Sequence, residues 1–327
     1  MPETSEKKLF LFDAYALIFR AYYAFIKNPR ITSKGLNTSA IFGFLLTLEE
    51  VMQKEKPSHA AVAFDMPGHT FRHEIFPEYK ATREETPEDI KKSVPYIKRL
   101  IEAFNIPIIE YPGYEADDII GTLAHKAANR GFVTYLMTPD KDFAQLVSDK
   151  IFMYKPSRSG SESVIWRVDD VKREFGIERP EQVIDILGLM GDTSDNIPGA
   201  PGIGPKTAMK LISEYGSIEE LLKNTGKLQG RLKEIIEANK NQIELSKKLA
   251  TIVVDAPVEL DEDKLRVGAI DNAKLKELFE ELEFKTTASR IFETAEVKKQ
   301  SFEESKGNSE NGTTPKTKLN IGTVPHS

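Results

Sequence analysis

The 327-residue sequence contains no cysteine. That absence excludes disulfides, thiolate zinc sites, iron–sulfur clusters and cysteine nucleophiles at once. Histidine is nearly as scarce: its five copies lie apart at positions 59, 69, 73, 125 and 326, which argues against a histidine-built metal site. Long apolar runs are missing as well. The longest, 41–46 and 60–64, fall far short of the roughly 20 residues that cross a bilayer. The polar start Met1-Pro2-Glu3-Thr4-Ser5-Glu6-Lys7-Lys8 lacks an export signal, so a cytoplasmic protein is expected. Charge of one sign is not in large excess: 51 Asp and Glu face 45 Lys and Arg, a net −6. This argues against a nucleic-acid partner unless many of the acids are gathered in one place.

What is present divides the chain. The apolar runs 9–12, 60–64, 106–109 and 132–137 alternate with longer segments, as in a parallel sheet covered on both faces. Runs 151–154 and 164–166 read as edge strands. From about residue 170 the spacing becomes helical, with Val183, Ile184, Ile186, Leu187, Leu189 and Met190, then Leu221, Leu222, Leu232, Ile235 and Ile236. The expectation is an α/β domain at 1–175 with an insertion at 66–100, a helical domain at 176–292, and a polar tail or linker at 293–327.

Acidic residues follow the strands. Asp13 closes the first run, Asp65 the second, Glu115, Asp117 and Asp118 come after the third, and Asp140 and Asp142 after the fourth. The carboxyl ends of parallel strands share one edge, where ligands bind. Asp192 and Asp195 would complete the ring from the helical part. Any one of these residues could be a helix cap; four successive strands ending this way point to a shared cleft. Nine clustered carboxylates repel one another unless a cation is present, and all-oxygen ligands favour Mg²⁺ or Mn²⁺ over zinc. Setting the nine aside leaves 42 acids against 45 bases, a mildly basic surface suited to a phosphate backbone.

The segment 196–208 is rich in glycine but is not a P-loop, because Pro205 separates Gly204 from Lys206. Nor is it a dinucleotide fingerprint, which would need a third glycine at position 207. It reads as a helix–hairpin–helix whose backbone N–H groups, with Lys206 and Thr207, face a phosphate. After Asp65, Lys80 and Arg83 would share a face if the stretch between Pro77 and Pro87 were helical, putting cations over the acidic edge.

Taken in order, Phe12-Asp13, Phe19-Arg20-Ala21-Tyr22, Ala63-Phe64-Asp65, Tyr79-Lys80-Ala81-Thr82-Arg83, Gly113-Tyr114-Glu115-Ala116-Asp117-Asp118, Thr138-Pro139-Asp140-Lys141-Asp142 and Gly191-Asp192-Thr193-Ser194-Asp195-Asn196-Ile197-Pro198-Gly199 resemble the 5′ nuclease domain of bacterial DNA polymerase I, in the flap endonuclease superfamily. Residues 7–292 carry the resemblance, with Thr82 in place of the usual Asn and Ala200 in place of the usual Val. It implies an α/β, parallel-sheet PIN-like nuclease domain followed by a helical domain with a helix-hairpin-helix (helix-three-turn-helix) DNA-binding motif. The implied activity is removal of 5′ flaps and RNA primers. The implied two-metal site falls on Asp13, Asp65, Glu115, Asp117, Asp118, Asp140, Asp142, Asp192 and Asp195, with Lys80 and Arg83 acting on the phosphate. DNA contacts would fall on Arg20, Tyr79, Gly199, Gly202, Gly204, Lys206 and Thr207, with K⁺ at the hairpin. The implied partners are branched or nicked duplex DNA with a 5′ flap, RNA–DNA primer junctions, and an attached or separate DNA polymerase; the expected state is a monomer working at the nucleoid. A PIN-like ribonuclease would share the sheet and acids without needing the hairpin. A non-catalytic DNA-junction binder would share the hairpin without needing nine acids.

Overall fold

The computed structural model describes residues 6–156 and 162–292; the expected tail at 293–327 lies outside the described residues. The chain divides into compact units at 1–275 and 276–327. The first begins with β1 (Lys8–Asp13), α1 (Ala14–Ala24), α2 (Ser39–Lys54), β2 (His59–Ala63), α3 (Phe71–Ile75), α4 (Glu88–Ala103), β3 (Ile108–Ile109), α5 (Ala116–Asn129), β4 (Val133–Met137), β5 (Ile151–Lys155), β6 (Val164–Trp166) and α6 (Val168–Phe175). The sheet order is β3-β2-β1-β4-β5-β6, parallel throughout except for β6. Phe10, Leu11 and Leu136 in the two middle strands are fully buried. Burial on both faces explains why these runs are continuously apolar rather than alternating.

Two strands depart from expectation. The run 151–154 is not an edge, because β5 lies between β4 and β6. The third run shrinks to two half-buried residues at the true edge, consistent with Pro107, which has no N–H for a ladder. The insertion at 66–100 also divides: Ile90, Ile97, Leu100 and Ile101 of α4 are fully buried, so this helix belongs to the α/β layers and only 66–87 skirts the sheet edge.

The helical part comprises α7 (Val183–Met190), α8 (Pro205–Tyr215), α9 (Ile218–Lys223), α10 (Gly230–Ala238), α11 (Lys240–Ala250) and α12 (Glu262–Leu265), while α13 (Asn272–Glu281) crosses the division between units. The first compact unit holds the α/β layers and helices α7 to α12 together. One apolar core runs from Leu9 through Ile186, Leu211 and Ile236 to Leu265. The chain beyond α11 returns to α5, where a side chain at Gly121 would meet Ile252 at 2.9 Å. In the second unit, Phe279 packs its ring 5.9 Å from Phe284 and 6.1 Å from Phe292, centroid to centroid. No helix among the described residues is long and apolar enough to cross a membrane.

Candidate active site

The strand order reverses between β1 and β4, and a parallel sheet opens a crevice at such a point, beyond its carboxyl ends. A cleft of about 490 Å³ lies there, lined among others by Asp13, Asp65, Glu115, Asp117 and Asp140. Local backbone demands fix several of these acids. Asp13 ends β1 and caps α1, accepting from the Ala16 N–H at 3.2 Å, while the Thr138 hydroxyl donates to its other oxygen at 2.9 Å. Asp65 accepts from the Ala116 N–H at 2.8 Å, which ties the end of β2 to the start of α5. Asp140 accepts from the Asp142 N–H at 2.9 Å, and Asp192 from the Ser194 N–H at 2.8 Å.

Crowding and burial act on the acids together. Desolvation, then the neighbouring Asp65, push the Asp13 carboxyl up to about 7. Desolvation, then Asp140 and Asp192, push Asp142 up to about 8. Asp65, Asp117 and Asp140 are raised as well, in each case first by loss of water; for Asp117 the next cause is the charge of Asp13. Asp195 goes the other way. Burial would raise it, but Lys80 and Arg83 outweigh burial and hold it below the usual carboxylate range.

These two cations form the opposite wall. Lys80 Nζ lies 2.8 Å from Glu115 Oε1 and 3.7 Å from Asp195 Oδ2, and Arg83 pairs with Asp195 through Nη2 and, at 3.1 Å, through Nε. They do not share a helix face. Residues 77–82 form turns, and Lys80 itself has φ +57°, so a turn rather than a helical repeat aims both into the cleft. Tyr79 also departs from the expected DNA contact: it is 3% exposed, with its hydroxyl 3.0 Å from both Glu115 Oε2 and Asp195 Oδ2. It acts as a strut beneath Lys80.

Asp118 is the clearest correction. It is fully buried, and its oxygens accept from Arg72 Nη1 at 2.7 Å and Nη2 at 2.8 Å, from the Val253 N–H at 2.9 Å and from the Glu115 N–H at 3.1 Å. A carboxylate so filled faces the fold, not the cleft. Arg72, which sequence reasoning did not single out, also donates to the carbonyls of Leu249 and Thr251 and joins the base of the insertion to the end of α11. Thr138, steadying Asp13, was likewise missed; its place directly after β4 was the available signal.

In the hairpin between α7 and α8, Gly202, Gly204 and Lys206 are exposed and Thr207 half-exposed at the start of α8. Gly199 is not available to a phosphate: its N–H donates to Ser246 Oγ at 2.9 Å, and its carbonyl accepts from Gln242 at 2.6 Å. With φ +58° and the Gly191 backbone against it, only glycine fits there. Arg20, on α1, donates to the Pro156 carbonyl at 3.3 Å, away from the hairpin in sequence and near the end of β5.

The acids fit hard divalent cations by donor type, being oxygen throughout, and by charge, since a cation would offset both the loss of water and the mutual repulsion that raise them. They are not closed on one as they stand. Among the described residues no three side chains of Asp, Glu or His are gathered to hold a single ion, and Glu115 and Asp195 are turned onto Lys80 and Arg83.

Acids at the carboxyl edge of a parallel sheet, cations facing them and a helical hairpin beyond define the class of resolvase-like nucleases. The model of the 5′-3′ exonuclease N-terminal, resolvase-like domain matches residues 8–176, and that of the 5′-3′ exonuclease C-terminal SAM fold matches 178–273. The 5′-3′ exonuclease of Aquifex aeolicus is 39% identical over 285 residues, covering 87% of this chain and 95% of the relative. DNA polymerase I of Bacillus subtilis is 41% identical over 292 residues, covering 89% of this chain; the chain spans 33% of that polymerase's length. In fold, the chain matches T5 5′-exonuclease, solved with divalent metal ions (zinc), with a TM-score of 0.62 at 22% identity, covering 84% of this chain and 98% of the other. The chain belongs to the 5′-3′ exonuclease family.

Proposed function

We propose that the protein is a divalent-metal-dependent 5′ nuclease that hydrolyses phosphodiester bonds of 5′ flaps and RNA primers in replication and repair. The observation that carries this reading is the crowded acidic cleft with Lys80 and Arg83 across it. Two Mg²⁺ or Mn²⁺ ions would be held by Asp13, Asp65, Glu115, Asp117, Asp140, Asp142, Asp192 and Asp195. Bound there, they would supply a water of lowered pKa and a Lewis acid for the departing 3′ oxygen. Lys80 and Arg83 bind the scissile phosphate and offset the charge that develops on it. Thr138 orients Asp13, and the Tyr79 hydroxyl bridges Glu115 and Asp195. Gly202, Gly204, Lys206 and Thr207 grip the phosphate backbone of the duplex without reading bases, Arg20 adds a contact beside the cleft, and K⁺ at the hairpin would add to that grip. A DNA polymerase, attached or separate, would fill the gap that cleavage opens.

The test compares 5′-flap DNA, plain duplex and single-stranded RNA, with Mg²⁺ and with EDTA. Cleavage at the flap junction only with Mg²⁺ supports the proposal. Preference for RNA points to the ribonuclease, and tight flap binding with no cleavage in Mg²⁺ points to the junction binder.

A further inference from the structure

We infer that Asn196 is a positioning residue that holds Lys80 over the acidic cleft. Lys80 and Asn196 face each other from two segments far apart in sequence, and both have left-handed backbones, at φ +57° and +55°. Lysine seldom adopts that conformation, because its Cβ crowds the following carbonyl; asparagine tolerates it better. Something must therefore hold Lys80 there. Two cross-segment hydrogen bonds do so: the Lys80 N–H donates to the Asp195 carbonyl at 2.9 Å, and Asn196 Nδ2 donates to the Glu78 carbonyl at 2.7 Å. The turn at 78–80 is thus stitched to 195–196 on both sides of Tyr79.

The anchoring loop is itself rigid. Asp192 and Ile197 exchange backbone bonds of 2.9 and 2.7 Å, and beneath them the Gly191 and Gly199 backbones touch with no room for a side chain on either. A loop closed in this way presents the Asn196 amide at a fixed place. Asparagine alone joins the two requirements of the position, tolerance of a positive φ and a side-chain donor of this reach; glycine meets only the first and alanine neither. With the stitch intact, Lys80 Nζ lies 2.8 Å from Glu115. Without it, the turn is free to relax toward negative φ and carry the amine away from the phosphate.

This inference rests on the nuclease reading above and makes the loop between α7 and α8 a link between the clamp and the duplex-binding hairpin. The experiment uses the full chain with Asn196→Gly, which keeps the backbone and removes the donor, and Asn196→Asp, which sets a carboxylate against the Glu78 carbonyl. Single-turnover cleavage of a 5′-flap duplex is followed against enzyme and Mg²⁺ concentration, alone and in a Lys80→Ala background. Both variants should lower the maximal rate about tenfold, the worth of one well-placed hydrogen bond, with half-saturating enzyme and Mg²⁺ changed less than about twofold. In the Lys80→Ala background Asn196→Gly should cost nothing further. A wild-type rate in both variants, an equal loss with and without Lys80, or a higher Mg²⁺ requirement would overturn the inference. A wild-type chain that cleaves nothing would instead sink the nuclease reading.

Discussion

Asp117 and Asp118 stand side by side at the start of α5, yet one turns into the cleft and the other into the fold. Asp117 lines the cleft among Asp13, Asp65 and Asp140 and is held well above its usual pKa by burial and then by their charge. Asp118 lies against Arg72, with four donors within 3.1 Å. The chemistry of the residue is the same; the compensation differs. The joint behind the cleft spends its carboxylate on stability, whereas the cleft pairs Glu115 and Asp195 with Lys80 and Arg83 and leaves Asp13, Asp65, Asp117 and Asp140 crowded together, ready for cations.

Substitutions should separate the two regions. Asp117→Asn and Asp140→Ala should lower flap cleavage about a thousandfold or more if, as proposed, these acids hold the metal that supplies several kcal/mol of transition-state stabilisation. Neither should lower the melting temperature, since each removes repulsion; loss of stability alongside activity would erase the distinction. Asp118→Asn should destabilise the protein by about 3 kcal/mol, as it takes the nearer of two counter-charges from buried Arg72 and leaves only Glu115, 3.5 Å away. Denaturant unfolding measures this, and a change under 1 kcal/mol, roughly the worth of a surface pair, would show that the joint is not holding the fold.

Lys80→Ala sharpens the comparison on the cation side. It should slow single-turnover cleavage about a hundredfold while leaving flap-duplex affinity within a few fold, as expected of a group acting on the transition state. Equal losses in rate and affinity would reassign it to ground-state binding. The smallest effect belongs to the hairpin: Lys206→Ala should weaken duplex binding equally across sequences and make the log–log salt slope shallower by about one. An unchanged slope would remove Lys206 from the phosphate contacts.

The central strands and the cleft were legible because buried parallel strands show as continuous apolar runs, and the acids after them are adjacent in sequence. Asp13, Asp65, Glu115, Asp117 and Asp140 all line the cleft. The fate of Asp118 was not legible, because it depends on Arg72, 46 residues earlier in a polar stretch. Lys80 and Arg83 were placed correctly over the acids but for the wrong local reason; a left-handed lysine depends on bonds from 195–196, over a hundred residues away. The change from strand runs to helical spacing near residue 170 marked the place where the two family domains meet, but nothing in 176–250 reveals that the chain near Ile252 comes back to α5. Local pattern carried what neighbours in sequence determine, and missed what distant segments impose.

Uncompensated charge in the cleft is the central claim, and melting of the full chain against pH, with and without Mg²⁺, tests it most directly. Folding raises Asp13 from 3.8 to about 7 and Asp142 from 3.8 to about 8. Between these limits the folded state holds protons that the unfolded chain has released, so stability is greater at the acidic end and declines as pH rises. Without divalent ions the melting temperature should fall from pH 5 to pH 8. Mg²⁺ in excess should restore it at pH 8 by about 2–4 °C or more, with much less effect at pH 5, where protons already neutralise the cluster. A melting temperature that is flat or rising from pH 5 to pH 8 without metal, together with no response to Mg²⁺ at pH 8, would contradict the account.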